Sequence, residues 1–303
     1  MKNLITRTIF GILFVVIMVG GIVWRPDSFI LLFAIITGMA IWEYAGLVND
    51  NGNVNDNTGE KPSVSINRFI STVAGVYFFL AVAGTCVGLT EGFAVFVPYI
   101  LTMMYLFISE LYLKHENPIT NWAYTMLGQM YIAMPFSLIN LLAFSTGNGD
   151  QPTYNWVLPL SLFIFLWAND TGAYCVGSLL GKHRLFPRIS PKKSWEGSIG
   201  GAILVILIAW GIGYLNNMTV LDADKQPAMF SATLSIIEWI GLGLVVVVFG
   251  TWGDLVESLF KRTLGIKDSG NVIPGHGGML DRFDSSLMAI PAAVVYLYTI
   301  AMV

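Results

Sequence analysis

The chain has 303 residues, of which 55% are hydrophobic and only 12% charged, with a formal net charge of −3. Its mean hydropathy is +0.68, whereas a typical soluble domain carries about 25% charged residues. This composition excludes an ordinary soluble domain with one central core, and no nucleic-acid partner is expected.

Repeated apolar runs of about 20 residues or more predict an all-α, polytopic integral membrane protein. A backbone in lipid must satisfy its own hydrogen bonds, so the runs are predicted to be helices. They lack the ten-residue alternation of a transmembrane barrel. In chain order, about nine spans are predicted, at residues 5–24, 28–48, 69–89, 92–113, 122–145, 156–180, 197–215, 234–260 and 283–302.

The basic residues predict how the chain is oriented. With a cytoplasmic N-terminus, the non-cytoplasmic side carries only Arg25 and Lys225. The other 14 of the 16 basic residues then lie on the cytoplasmic side, namely Lys2, Arg7, Lys61, Arg68, Lys114, Lys182, Arg184, Arg188, Lys192, Lys193, Lys261, Arg262, Lys267 and Arg282. This asymmetry follows the positive-inside rule. We therefore expect a multi-pass protein of the cell inner (plasma) membrane with its functional face in the cytoplasm.

Charge and polarity divide the chain into two predicted regions. Residues 1–150 hold about five of the predicted spans and are expected to form a lipid pocket or a scaffold for a homodimer. Residues 151–303 hold the polar clusters and are expected to be catalytic. The loop at residues 181–196 carries five basic residues, which either orient the chain and attract anionic lipid or belong to a specific site.

Charged residues inside apolar spans are costly and therefore are functional candidates. Glu43 and Glu110 lie near the predicted cytoplasmic ends of their spans, where snorkelling or structural pairing is expected. Asn169, Asp170 and Thr171 are three consecutive polar residues in the middle of the sixth span. Such a run indicates a watery or protein-lined cavity rather than lipid.

Further charged residues cluster at the end of the eighth predicted span and in the segment that follows it. Asp254, Glu257, Ser258 and Lys261 have the spacing of one helical face. Asp281 and Asp284 follow at a spacing of three as the last span begins, and their carboxylates are expected to face the same cavity as Asp254.

Hard oxygen ligands beside lysines and arginines suit Mg²⁺ and phosphates better than a transition metal. The three histidines are too scattered for a zinc site. His276 is interpreted either as a general acid or base or as a residue that hydrogen-bonds the turn or a phosphate. Together these features predict a membrane enzyme or transporter that handles a metal-bound polyanion.

The segment 258–284 resembles the signature of phosphatidate cytidylyltransferases, also called CDP-diacylglycerol synthases. Its matching positions are Ser258, Phe260, Lys261, Arg262, Lys267, Asp268, Gly270, Pro274, His276, Gly277, Gly278, Asp281, Arg282, Phe283 and Asp284. Residues 167–174 and 190–197 also look like blocks of that family, whereas residues 1–150 match only in hydropathy.

The resemblance implies transfer of a cytidylyl group from CTP to phosphatidate, giving CDP-diacylglycerol and pyrophosphate, with Mg²⁺ and with a second metal ion left open. Its metal positions fall on Asp254 and Asp281, and the catalytic set adds Asp284, Lys261 and Lys267. Its substrate-binding positions fall on Asn169, Asp170, Lys192, Lys193, Ser194, Ser258, Arg262, His276, Gly277, Gly278 and Arg282.

Two other functions remain open from the residues alone. A CTP-dependent lipid-alcohol kinase would need a base, for which Asp284 or His276 is a candidate. A phosphate or nucleotide transporter is less favoured, because the chain shows no internal repeat.

Overall fold

The computed structural model describes residues 2–51, 64–145, 152–220, 234–270 and 277–301. The chain is almost entirely helical, which confirms the predicted all-α, polytopic membrane fold. The helices are α1 (Lys2–Val23), α2 (Pro26–Asn51), α3 (Arg68–Cys86), α4 (Val97–Leu113), α5 (Pro118–Gly128), α6 (Met134–Ala143), α7 (Val157–Leu180), α8 (Trp195–Val220), α9 (Ile236–Thr263), α10 (Leu280–Phe283) and α11 (Ser286–Ala301).

Shorter elements complete the chain. A 3₁₀ turn at Phe93–Phe96 precedes α4, and a π-helical segment at Gln129–Ala133 joins α5 to α6. The described residues also include four short strands: β1 (Phe144–Ser145), β2 (Thr153–Tyr154), β3 (Arg184–Phe186) and β4 (Ser190–Ser194).

Seven segments of the described chain are long and apolar enough to cross a membrane. They are Pro26–Asp50, Arg68–Cys86, Phe93–Leu113, Pro118–Ala143, Trp195–Asn216, Ile236–Thr263 and Leu280–Ile300. The other two predicted spans correspond to α1, whose described apolar part is only Thr8–Val23, and to α7, where polar residues interrupt the apolar run. The predicted number of nine spans therefore stays a prediction.

The chain forms two compact units that interleave along the sequence. The first comprises Met1–Asn140, Thr146–Thr153 and Leu259–Phe283, and the second comprises Leu141–Ser145, Tyr154–Ser258 and Asp284–Val303. The assignment of residues 1–150 to a lipid pocket or dimer scaffold and of residues 151–303 to catalysis concerns function, and it stays a prediction.

Aromatic packing fixes the short helix α10 within the first unit. The ring of Phe283 lies 5.5 Å from Phe136 and 5.8 Å from Phe14, in edge-on contacts. Phe136 in turn packs on Phe33 of α2, and Phe283 is almost fully buried. Edge-on pairs of this kind add about 0.5–1.5 kcal/mol beyond their buried area. The residues just before Phe283 are therefore held at a defined position.

Close backbone contact between α7 and α8 organises the second unit. A Cβ atom at Gly172 would lie 2.9 Å from both the carbonyl oxygen of Gly200 and the Cα of Gly201. Small residues at a helix interface let two membrane helices approach this closely. The contact brings the polar part of α7 against the start of α8.

This contact predicts how two glycine substitutions will differ. Gly172→Leu should destabilise the protein by about 1–3 kcal/mol, the usual cost of overpacking, because its side chain meets backbone. Gly211→Leu on α8 is the matched control, since no atom lies within 4 Å of a Cβ there. Thermal unfolding in detergent should show a lower Tm for the Gly172 variant alone; equal losses in the two variants would contradict the packing argument.

Candidate active site

A polar cavity of about 470 Å³ lies within the second unit. Its walls come from the second half of α7, the start of α8, the β3–β4 hairpin and one residue of α9. The lining comprises Asn169, Asp170, Ala173, Tyr174, Gly177, Ser178, Gly181, Arg184, Lys192, Lys193, Ser194, Gly197, Ser198 and Thr251. The predicted positions Asn169, Asp170, Lys192, Lys193 and Ser194 are thus brought together.

The basic segment after α7 forms an antiparallel hairpin, which the sequence interpretation treated only as a basic loop. Arg184 pairs with Ser194, and Phe186 pairs with Ser190. The ring of Phe186 packs edge-on against Trp252 of α9 at 5.8 Å. The hairpin therefore holds Lys192 and Lys193 on a folded support rather than on a free loop.

The base of this hairpin is closed by Glu196, a residue that the sequence interpretation did not select. Its carboxylate accepts hydrogen bonds from the backbone N–H groups of Lys182 and His183, both at 3.2 Å. It also lies 2.5 Å from the Nδ1 atom of His183. Glu196 stands in the first turn of α8, where a carboxylate is favoured by the helix dipole. Its position next to a predicted helix start is the sequence feature that could have identified Glu196.

Asp254 is paired with a lysine at this cavity. The Nζ atom of Lys193 lies 2.6 Å from Oδ2 of Asp254, and both side chains are 26% exposed. The hydroxyl of Ser258, one helical turn later, donates to Oδ1 at 3.1 Å. The predicted common face of Asp254 and Ser258 is therefore observed, and the carboxylate is oriented from two sides.

Two residues of the Asn-Asp-Thr run of α7 line the cavity. Asn169 and Asp170 lie on the wall, as expected for polar residues inside an apolar helix. The amide nitrogen of Asn169 donates to Thr251 at 3.4 Å, while its buried Oδ1 has no hydrogen-bond partner in the described part of the chain. Thr171 instead bonds back to the carbonyl of Trp167 and is exposed.

A second cluster of predicted site residues lies within the first unit, around Asp281 of α10. The Nζ atom of Lys261 lies 2.7 Å from Oδ1 of Asp281, and the two side chains are 12% and 7% exposed. The backbone N–H groups of Ser269 and Gly278 each donate to Oδ2 at 2.9 Å. Asp281 is therefore fixed by one ammonium and two amides.

The backbone around Asp281 depends on glycine. Gly277 adopts a φ of +84°, a left-handed conformation that side chains with a Cβ rarely tolerate. The next residue, Gly278, then directs its N–H toward Asp281. The Gly-Gly pair of the signature thus shapes a turn that cradles the Asp281 carboxylate.

Glu43 of α2 joins this cluster, although its sequence context predicted only snorkelling or structural pairing. It is 8% exposed, so it does not snorkel. Its carboxylate accepts hydrogen bonds from the N–H groups of Met279 and Leu280, at 2.7 and 3.1 Å, and from the hydroxyl of Ser269. No local sequence signal connects residues more than 220 positions apart.

The remaining predicted residues have individual placements. Arg262, Lys267 and Arg282 are exposed, and Arg262 donates to the carbonyl of Ile266 at 3.3 Å. His276 lies outside the described residues, so its two interpretations stay predictions.

Asp284 follows α10 rather than continuing its helix. It lies in a turn before α11 and belongs to the second unit, whereas Asp281 belongs to the first. Since α10 ends at Phe283, the two aspartates do not lie on one continuous helix. The cavity that Asp254, Asp281 and Asp284 were expected to share stays a prediction.

The donor chemistry of the two clusters fits a magnesium ion that arrives with its substrate. Among the described residues there is no group of three or more His, Cys, Asp or Glu side chains that could hold a metal. Mg²⁺ usually keeps several waters and binds one or two carboxylates together with substrate phosphates. Asp254 and Asp281 supply such carboxylates, and each retains lone pairs beyond its present contacts.

The sequence is similar to bacterial proteins named phosphatidate cytidylyltransferase. One from Haemophilus influenzae is 43% identical over 141 residues, which cover 46% of this chain and 46% of the relative. One from Staphylococcus aureus strain COL is 42% identical over 132 residues, covering 44% and 45%. One from Staphylococcus saprophyticus is 42% identical over 143 residues, covering 46% and 49%.

The chain thus aligns with slightly less than half the length of these curated relatives. The profile of the cytidylyltransferase family, in contrast, matches residues 5–300. Since this match covers almost the whole chain, the protein belongs to the cytidylyltransferase family.

Proposed function

We propose that the protein transfers the cytidylyl group of CTP to phosphatidate, giving CDP-diacylglycerol and pyrophosphate for phospholipid synthesis. The observation that carries the proposal is the Lys193–Asp254 pair beside a cavity that is also lined by Lys192 and Arg184. It sets cations for a polyphosphate next to a carboxylate for a metal ion. Family membership and the names of the relatives favour the cytidylyl donor and the lipid acceptor.

The chemistry needs little from a general base. The attacking group is a phosphomonoester oxygen, which is largely ionised near neutral pH because its second pKa is about 6. The main obstacle is the repulsion between two anionic substrates. Positively charged side chains placed before the reaction lower this cost, since they need no reorganisation.

The lysine–carboxylate pairs serve as a resting arrangement in this proposal. Lys193 and Asp254 orient each other through their ion pair. A phosphate that binds Lys193 competes with Asp254 for the ammonium group, and Asp254 is the residue that would hold a metal ion beside that phosphate. Lys261 and Asp281 repeat the arrangement in the first unit.

The bound metal would neutralise phosphate oxygens and stabilise the pyrophosphate leaving group. Asp254 and Asp281 are the residues proposed to hold it, with a second ion left open. Lys192, Lys193, Lys261, Lys267, Arg262 and Arg282 are proposed to bind the triphosphate and the lipid phosphate. Asn169, Asp170, Ser194 and Ser258 are proposed to complete the polar surface around the nucleotide, and Asp284 to assist from the turn before α11.

Product analysis tests the proposed reaction. Purified protein with CTP, phosphatidate and Mg²⁺ should release pyrophosphate and form CDP-diacylglycerol, and a chelator should stop both. Release of CDP with a lipid alcohol as acceptor would instead show kinase chemistry. Movement of labelled nucleotide into liposomes without CTP consumption would show transport, and either result would overturn the proposal.

Substitution of the two aspartates tests the metal assignment. Asp254→Asn and Asp281→Asn should each lower turnover by about 100-fold or more, because metal-assisted charge stabilisation is worth several kcal/mol. Each variant leaves a lysine without its carboxylate partner and should lose some stability, but both should remain folded in detergent. Asp27→Asn is the control, since it removes an exposed ion pair to Arg25 with side chains 66% and 76% exposed. Normal turnover in both site variants would contradict the proposal that Asp254 and Asp281 hold the metal ion.

We further propose that the protein lies in the inner membrane with this site facing the cytoplasm. The positive-inside asymmetry of the sequence supports this orientation. A soluble cytoplasmic nucleotide and a headgroup at the membrane surface could then both reach the site.

Cysteine labelling tests the orientation in cells. Cys86 and Cys175 are free and are first replaced by alanine and serine. A single new cysteine at Asp27 should then react with a membrane-impermeant maleimide from outside the inner membrane. A cysteine at Lys267 should react only after the membrane is permeabilised. The reverse pattern would contradict the proposed orientation.

A further inference from the structure

One buried carboxylate forms its hydrogen bonds with the signature turn, here meaning Ser269 and residues 277–280, rather than with solvent. Glu43 lies on α2, and its side chain is 8% exposed. An ionisable group inside an apolar helix is costly unless it is paired. Here the partners are Ser269, Met279 and Leu280, more than 220 positions later in the chain. The contact therefore depends on the tertiary fold of the first unit.

The carboxylate of Glu43 directly holds the backbone at the start of α10. Oε2 accepts the N–H of Met279 at 2.7 Å, and Oε1 accepts the N–H of Leu280 at 3.1 Å. The first N–H groups of a helix have no intrahelical partner and favour a negative charge. Glu43 supplies that charge from another helix, immediately beside Asp281.

Ser269 extends the same contact to Asp281. Its hydroxyl donates to Oε1 of Glu43 in a short hydrogen bond and accepts the backbone N–H of Asp281 at 3.3 Å. The backbone N–H of Ser269 donates to Oδ2 of Asp281 at 2.9 Å. Glu43 thus fixes Ser269, and Ser269 contacts both the main chain and the carboxylate of Asp281.

Two glycines of the signature leave room for this carboxylate. A Cβ atom at Gly270 would lie 2.9 Å from Oε2 of Glu43, and one at Gly278 would collide with Oε1 and with Oγ of Ser269. Neither position tolerates a larger residue while Glu43 keeps its place. The turn and the glutamate are therefore built to fit each other.

We propose that Glu43 is a positioning residue for Asp281, acting through Ser269 and through the N–H groups of Met279 and Leu280. The proposal rests on the function proposed above, in which Asp281 takes part in cytidylyl transfer. Glu43 itself need not touch the substrate. Its effect on the reaction is to keep the Asp281 carboxylate in the orientation seen in the structure.

The test compares Glu43→Gln with Glu110→Gln. Glu110 is a matched control, because it is also 8% exposed and lies in the same unit. Its carboxylate is held by Asn121 at 3.1 Å and His115 at 2.9 Å, away from the signature turn. Both substitutions replace a buried, hydrogen-bonded carboxylate by a neutral group of equal size.

Glu43→Gln should lower kcat by about 10- to 100-fold. This is the usual effect of losing a residue that orients a metal-binding side chain. The KM values for CTP and lipid should change much less, since the affected group acts mainly in the transition state. Hydrogen exchange of the amides at 269 and 278–281 should become faster in this variant. Glu110→Gln should show neither change.

The exchange measurement separates the two proposals. If the wild-type protein makes no CDP-diacylglycerol, the proposed function fails, and exchange alone decides whether Glu43 holds the turn. Ser269→Ala offers the same test should Glu43→Gln not fold, because it removes the intermediate hydroxyl only. Unchanged exchange in the turn, or a kcat equal to that of Glu110→Gln in an active protein, would overturn the inference.

Discussion

Each of the two aspartates proposed to hold a metal ion is paired with a lysine in surroundings that exclude much of the solvent. Lys193 lies 2.6 Å from Asp254 in one unit, and Lys261 lies 2.7 Å from Asp281 in the other. Removing one partner from such a pair leaves an uncompensated charge, which costs far more than the net gain from forming it. In each pair the carboxylate also accepts further hydrogen bonds, from Ser258 to Asp254 and from two backbone amides to Asp281.

The two pairs are supported in different ways. Asp254 relies on side chains, because Ser258 on the same helix and Lys193 on the hairpin provide its contacts. Asp281 relies on the backbone, because two amides and a glycine turn hold its second oxygen. Hydrogen bonds donated by backbone amides are lost when the path of the main chain changes, so the contacts of Asp281 depend on the local backbone conformation.

Much of the architecture could be predicted from the sequence. Apolar runs identified the helices, since a chain in lipid has few other ways to satisfy its backbone. The spacing of Asp254 and Ser258 predicted that they share one helical face, because helical neighbours four apart face each other, and the two side chains form a hydrogen bond there. The polar run in α7 predicted a cavity, and Asn169 and Asp170 line one.

Other features required the folded chain. The β3–β4 hairpin is too short and too polar for its strands to stand out, and it is stabilised by Trp252 and Glu196 from elsewhere. Asp281 lies in α10 and Asp284 in the turn between α10 and α11, a break that their spacing of three does not reveal. The role of Glu43 could not be predicted from its neighbours in the sequence, because its hydrogen-bond partners lie close to it only in the tertiary structure.

The long separation between Glu43 and Ser269 has a consequence for biogenesis. The two are 226 positions apart, and translation at about 5–20 residues per second needs roughly 10–45 s to cover that distance. During this interval α2 enters the membrane with a carboxylate whose eventual partners have not been synthesised. Glu43 gains these partners only when residues 269–280 have been synthesised, so the first unit cannot complete its packing until nearly the whole polypeptide has been made.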